Sequence, residues 1–325
     1  MDEARDSPAG AAYFVILVTA TLLMASSFIA GKILLAAGIP SFLLVGWRFL
    51  LAALATLPLV FMAESKYAQR LAPRHLTLRD WSVILLIGLL QTAATMGFLF
   101  LALRTISAGT AAILLFTNPL WVALIGHFVL RETLSGPRLF GLLCGIFGVV
   151  LALGASGTGL SHEPLIGQLT GLAAAFCFAF ATILNKRAKL AINVWALSFW
   201  QMLIGGLMLL ALAYAQGQHW PGPALTSIGL WGWFLWLAVP GSTASFGLWF
   251  LALRRGGATQ TSGYLFLAPL FTVLMSALML RTGLSVQQAF GGILIGAALW
   301  LVNRTRPAAL AIVTADDGTS DPAGR

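Results

Sequence analysis

The chain is 325 residues long, 59% hydrophobic and only 9% charged, with a net charge of +9 and a mean hydropathy of +0.91. A soluble domain carries about 25% charged residues, so the composition excludes water as the main solvent of this protein. The two cysteines, Cys144 and Cys177, fall inside apolar runs and read as small packing residues rather than a disulfide or a metal site.

In chain order, residues 1–11 form an N-terminal tail that begins acidic (Asp2, Glu3, Asp6), and the apolar run behind it is too long for the core of a cleaved leader. Segments of about 20 residues, enough to cross a hydrocarbon layer, then recur. They cover 12–34, 42–62, 82–102, 108–130 and 138–155, and, after a linker over 156–164, they resume at 165–185, 194–215, 229–251, 258–280 and 287–303. Strands of a membrane barrel would alternate in segments of about 10 residues, and no such alternation is present. The expected fold is an all-α integral membrane protein with ten transmembrane helices. Residues 304–325 read as a disordered tail.

The basic residues report orientation. Lys66, Arg70, Arg74, Arg79, Arg131, Arg138, Lys186, Arg187, Lys189, Arg254, Arg255, Arg304 and Arg306 fall on one side of the expected spans. Only Arg104 and Arg281 fall on the other, and the connections 156–164 and 216–228 hold no Lys or Arg. By the positive-inside rule, both termini are expected in the cytoplasm, with the chain in the cell (inner) membrane and no nucleic-acid partner. Trp220, Trp231, Trp233 and Trp236 gather at the outer boundary as an aromatic belt.

The chain also repeats itself. Leu101-Ala102-Leu103-Arg104 returns as Leu251-Ala252-Leu253-Arg254, 150 residues later. At the same offset Trp81 meets Trp231, Gly97 meets Gly247, Pro119-Leu120 meets Pro269-Leu270, and Leu130-Arg131 meets Leu280-Arg281. A weaker match sets Trp47-Arg48 opposite Trp200-Gln201. Residues 12–155 and 165–303 are thus two copies of five spans each. Because five is odd, the second copy must enter the membrane from the opposite side, giving inverted repeats of the kind that recur in secondary transporters.

With these features the chain resembles the drug/metabolite transporter superfamily, and within it the EamA-type ten-helix permeases. The resemblance covers about residues 12–304. It rests on the five-plus-five plan, Lys32 near the end of the first span, and Ala102-Leu103-Arg104 followed by Asn118-Pro119-Leu120. Arg131-Glu132-Thr133-Leu134 ahead of the Gly-rich fifth span completes it. The second copy departs from the pattern, with Ala268 for Asn118 and Thr282 for Glu132. The resemblance implies a transporter of small metabolites, commonly an exporter, with a central cavity between the halves.

The candidate site follows from the polar residues at membrane depth. Pro119 and Pro269 lie near the middle of spans 4 and 9, where each removes an N–H and frees the carbonyl four residues earlier. They are candidate hinges, with a passive packing kink as the alternative, and the unduplicated Pro58 and Pro240 are assigned to that alternative. Asn118 and, on span 9, Gln260 and Tyr264 are candidate substrate contacts. Gln91, Thr92 and Thr95 face a matching patch at Ser242, Thr243 and Ser245, and Trp249 is suited to stacking on a flat substrate. Lys32 and Arg48 either snorkel to the outer headgroups or attract a substrate carboxylate. Every Asp and Glu lies in a loop or tail, so no carboxylate relay is expected at membrane depth. Gly141 with Gly145 and Gly292 with Gly296 form GxxxG pairs, which read as close packing or a homodimer contact through helix 5 or 10.

These residues point to a secondary transporter, an exporter or exchanger of small organic metabolites such as amino acids or related zwitterionic or anionic compounds. No cofactor is expected, and no Walker motif is present for ATP-driven transport within the chain. The alternatives are a flippase for a lipid or lipid-linked headgroup and a membrane-embedded enzyme. The second would need a nucleophile, base or metal cluster, and His75, His127, His162 and His219 are scattered away from the acids.

Overall fold

A computed structural model of the chain describes residues 8–62, 71–72, 76–102, 105–106, 114–132, 134–152, 164–222, 227–268, 270–271, 274–275 and 286–304. Every regular element among them is helical. The elements are α1 (Pro8–Ala36), α2 (Ser41–Met62), α3 (Leu78–Ala102), α4 (Asn118–Val129), α5 (Gly136–Ala152), α6 (Leu165–Ala188), α7 (Val194–Ala215), α8 (Ile228–Arg255), α9 (Ala258–Gly263) and α10 (Val286–Arg304). Six of them (α1, α2, α3, α6, α7 and α8) contain stretches long and apolar enough to cross a membrane, whereas α4, α5 and α10 supply shorter apolar stretches.

The helix ends are written in the local sequence. Thr77 and Asp80 form a reciprocal capping box at the start of α3, with Thr77 N donating to Asp80 Oδ2 at 2.8 Å. Asn193 Oδ1 accepts from Trp195 N at 2.9 Å to start α7, and Ser227 Oγ accepts from Leu230 N at 3.4 Å to start α8. Each side chain satisfies one of the N–H groups that a helix leaves orphaned at its first turn. Lys189 ends α6 in the left-handed region (φ 46°), where glycine is the usual occupant.

The helices pack reciprocally between the two halves. α2 runs along α7 and α5 along α10; α1 crosses α8 while α3 crosses α6; α3 contacts α7 while α2 contacts α8. α5 and α10 approach closely because α5 offers glycines to the contact. A Cβ at Gly141 would lie 2.8 Å from Leu301 Cβ, and one at Gly148 would lie 3.0 Å from the Gly291 carbonyl oxygen. A Cβ at Gly145 would overlap the Phe266 ring. The Gly141–Gly145 face expected to serve a homodimer is therefore occupied within the chain, whereas Gly296 on α10 has open space.

Two breaks in helix geometry recur at the 150-residue offset. α3 widens into a π-helical turn over Leu89–Ala94 and α8 does the same over Val239–Ala244. Hydroxyls help hold the wide turns open. Thr95 Oγ1 donates to the Leu90 carbonyl five residues back at 2.7 Å, and Ser242 Oγ donates to the Leu237 carbonyl at 2.9 Å. Pro240, assigned from sequence to passive packing, sits inside the second π turn, where its missing N–H suits a ladder already shifted. The second recurring break precedes the duplicated prolines. The chain turns at Phe116–Thr117 before α4, and it tightens to a 3₁₀ turn over Tyr264–Phe266 after α9.

Pro119 consequently differs from its expected place. It lies in the first turn of α4 rather than in mid-helix, a position where the absent N–H has no partner to lose. Leu120 N bonds the Thr117 carbonyl at 2.9 Å, and Thr117 Oγ1 donates to the Leu114 carbonyl at 2.6 Å, so the turn is closed locally. Pro269 lies outside the described residues.

Candidate functional site

The two π turns each take a side chain from the other half. Arg48 on α2 donates from Nε to Ser242 Oγ at 2.7 Å and from Nη2 to the Gly241 carbonyl at 3.4 Å. Thr92 on α3 donates to Oε1 of Gln201 on α7. Ser242 is the duplicate of Thr92 at the 150-residue offset, and Gln201 is the counterpart of Arg48 in the weaker match. The two contacts are thus a pair, one charged and one neutral. Thr243 adds a bond from Oγ1 to the Ala52 carbonyl of α2 at 2.7 Å.

Arg48 is buried, with its guanidinium carbon 4.8 Å from the centre of the Phe49 ring. This removes the snorkelling alternative, because the head is bonded into the α8 turn instead of reaching for headgroups. No acidic partner meets it among the described residues, and the sequence holds no Asp or Glu between Asp6 and Glu64. The side chain of Lys32 lies outside the described residues.

Around these contacts runs a band of buried polar atoms. Gln91 Nε2 and Oε1, Gln201 Nε2, Ser198 Oγ, Trp249 Nε1 and Asn118 Oδ1 have no hydrogen-bond partner among the described residues. Ser198 and Gln201 are three apart on α7 and share a face. Trp249 packs in one cluster with Ile87 of α3 and Leu197 of α7. Phe178 of α6 lies 6.1 Å from the Trp249 ring, and Asn118 Nδ2 donates to the nearby Ala175 carbonyl of α6 at 3.2 Å. The band therefore links α4, α6, α3, α7 and α8. An unpaired buried polar group costs about 1–3 kcal/mol, so a run of them in one region calls for a ligand or water to complete it.

The remaining candidates are distributed less favourably. Thr95 and Ser245 are buried and bonded to backbone, Ser245 Oγ to the Gly241 carbonyl at 2.7 Å. Trp249 is fully buried against Phe178, so its ring face is already covered and the expected stacking role falls away, leaving only the indole N–H. Tyr264 meets Tyr13 and Phe14 of α1 edge-on, with ring centres at 6.3 Å and 6.1 Å. Gln260 is half-buried on α9, and regular α spacing stops at Gly263, between it and Tyr264. Trp220 stacks on Trp231, with ring centres 6.0 Å apart, and Trp236 Nε1 donates to Ser26 Oγ at 3.1 Å. Trp47, Trp220 and Trp231 also line an apolar groove of about 310 Å³ with Leu50, Leu51, Leu54 and Phe234. Its lining is almost wholly apolar, and it shares no residue with the band.

Ser198 and Gln201 of α7 were not singled out from sequence as contacts, and a third residue was missed outside the band. Glu132, assigned to a loop, lies between α4 and α5 and sends its carboxylate to α9, accepting from Ala258 N at 2.8 Å and Thr259 N at 3.2 Å. A signal was available: α9 follows Gly256-Gly257, so its own N-cap position has no side chain, and an acceptor had to come from elsewhere.

The comparisons with known proteins agree with this architecture. The EamA-like transporter family matches residues 11–154 and again residues 165–304, and the chain belongs to that family. It is 25% identical over 198 residues to "Uncharacterized transporter YoaV" of Bacillus subtilis (strain 168), a match covering 61% of this chain and 65% of that protein, just under two thirds of its length. It is 29% identical over 273 residues to "Probable amino-acid metabolite efflux pump" of Salmonella typhimurium, covering 81% of this chain and 85% of that one. A crystal structure described only as "Crystal structure of protein" shares the fold, with a TM-score of 0.75 at 19% identity over 90% of this chain and 97% of the other.

Proposed function

We propose that the chain is a secondary transporter of small organic metabolites that works by alternating access between two inverted five-helix repeats, ten spans in all. The inversion is supported by the reciprocal helix contacts and by the paired π turns, each bonded to the opposite half. The observation that carries the substrate site is the band of unpaired polar atoms on Gln91, Asn118, Ser198, Gln201 and Trp249. Their mixture of donors and acceptors suits a polar, uncharged or zwitterionic solute, and amino acids or related compounds fit that description. The similarity to an amino-acid metabolite efflux pump supports the same class and favours export or exchange. In this reading the termini are cytoplasmic, the membrane is the cell (inner) membrane, and any homodimer contact runs through the open Gly296 face of α10.

The apolar groove favours a second reading, lipid translocation, since an acyl chain fits its lining. Its lack of polar groups for a headgroup supports that reading less. The test is an uptake and efflux screen in proteoliposomes with amino acids, sugars, nucleobases and labelled lipids. Flux of a polar solute should fall at least about tenfold in Asn118→Ala, as expected for loss of a buried contact. It should hold steady between about pH 6 and pH 8 at clamped potential, because no carboxylate or relay histidine lies in the band. Lipid movement without solute flux would replace this reading, and a strict need for a proton gradient would remove the gradient-driven part of it.

A further inference from the structure

The turn between α8 and α9 is held from three other helices at once. Glu132, just beyond α4, accepts the Ala258 and Thr259 amides at the start of α9. Lys186, near the end of α6, donates from Nζ to the Leu253 carbonyl at 2.8 Å and to the Gly256 carbonyl. Tyr13, on α1, lies 2.8 Å hydroxyl to hydroxyl from Thr261. An anion thus sits at the positive end of α9 and a cation at the negative end of α8, both favourable with the helix dipoles. Under this clamp Ala258, Thr259, Thr261 and Ser262 are buried, and α9 packs against α4 across the line between the halves.

Glu132 is positioned for this by its own backbone. Arg131 adopts the left-handed region (φ 56°), which reverses the chain after α4, and Glu132 N bonds back to the Gly126 carbonyl at 3.2 Å. His127 Nδ1 lies 3.0 Å from the Glu132 carbonyl oxygen. The carboxylate is half-buried, so water can replace its two bonds when α9 moves away. At the duplicated position, which lies outside the described residues, the sequence has Thr282, shorter and uncharged, so the second copy supplies no carboxylate there.

We infer that Glu132 is a positioning residue that holds this face of the transporter shut, and that the two faces open at unequal cost because only one copy has a carboxylate at this position. The inference does not depend on the identity of the substrate or on the polar band. It is tested on the full chain in lipid nanodiscs, in a Cys144→Ala/Cys177→Ala background with Ser262→Cys as the reporter of α9 and Ala53→Cys, buried between α2 and α7, as the reporter of general loosening. A water-soluble maleimide should label Ser262→Cys about tenfold faster or more in Glu132→Ala, the factor expected when charge-assisted bonds are lost. Labelling of Ala53→Cys should not change, and Glu132→Asp should restore slow labelling at Ser262→Cys. Equal acceleration at both reporters would overturn the inference, because Glu132 would then serve overall stability. Unchanged labelling at Ser262→Cys would overturn it as well.

Discussion

Gln91 occupies the first π turn, essentially unexposed, with no partner for either end of its amide among the described residues. A side chain kept only for stability would not be left in that condition, because an unpaired buried amide costs free energy that leucine would not. Gln91→Leu should therefore hold or raise thermal stability, by up to about 1 kcal/mol, while abolishing solute flux. Thermal melts and flux on the same preparation check it, and a destabilised variant with normal flux would assign Gln91 to packing. At this scale the sequence was partly legible. Gln91, Asn118 and Arg48 stand out because polar groups are rare at membrane depth. Which way each one faces was not legible, since lipid and protein core are both apolar and the one-sided pattern that marks a soluble helix is missing. That is why Arg48 could be read as snorkelling when it is bonded to Ser242, and why Trp249 could be read as open to substrate when Phe178 covers it.

The six long helices were legible as apolar runs, and the duplication as repeated residues, but the irregularities of the helices were not. A π turn inserts one extra residue into a helix and is held by side chains that bond back to its own carbonyls. Thr95, Ser242 and Thr243 do this here, yet the same residue types occur in regular helices, so composition alone does not mark the turn. The prolines mislead in the opposite direction: Pro119 looks like a kink in a long span but opens a new helix after a turn already closed by Thr117. The glycine pairs also divide once their neighbours are known. Gly145→Leu should destabilise the protein by about 1–3 kcal/mol through overlap with Phe266, whereas Gly296→Ala should change stability by less than about 0.5 kcal/mol. Comparison of their melting temperatures in detergent checks both, and equal effects would mean that the contact between α5 and the Phe266 turn yields more easily than its geometry implies.

For the whole molecule, a twice-matched family unit and reciprocal contacts describe two copies that use each other's helices to complete themselves. The copies are not equivalent. In the sequence Asn118 has no duplicate amide, Glu132 no duplicate carboxylate, and the counterpart of Arg48 is the neutral Gln201. The first two differences belong to the proposed site and the inferred clamp; the third has an electrical consequence. Arg48 is the eighth residue of α2, about 10 Å in from the helix start at 1.5 Å per residue. In the proposed ten-span arrangement its positive charge lies within the voltage drop of the membrane, with no acidic group among the described residues to cancel it. Moving one elementary charge through the full field is worth about 2.3 kcal/mol per 100 mV. A cycle that moves α2 along the membrane normal carries Arg48 through part of that field, while Gln201 moves without electrical work. A transporter of a neutral solute built this way is still a voltage-sensing device. Transient currents on solid-supported membranes should appear in the native protein and shrink in Arg48→Gln, so that membrane potential biases the cycle even when the cargo carries no charge.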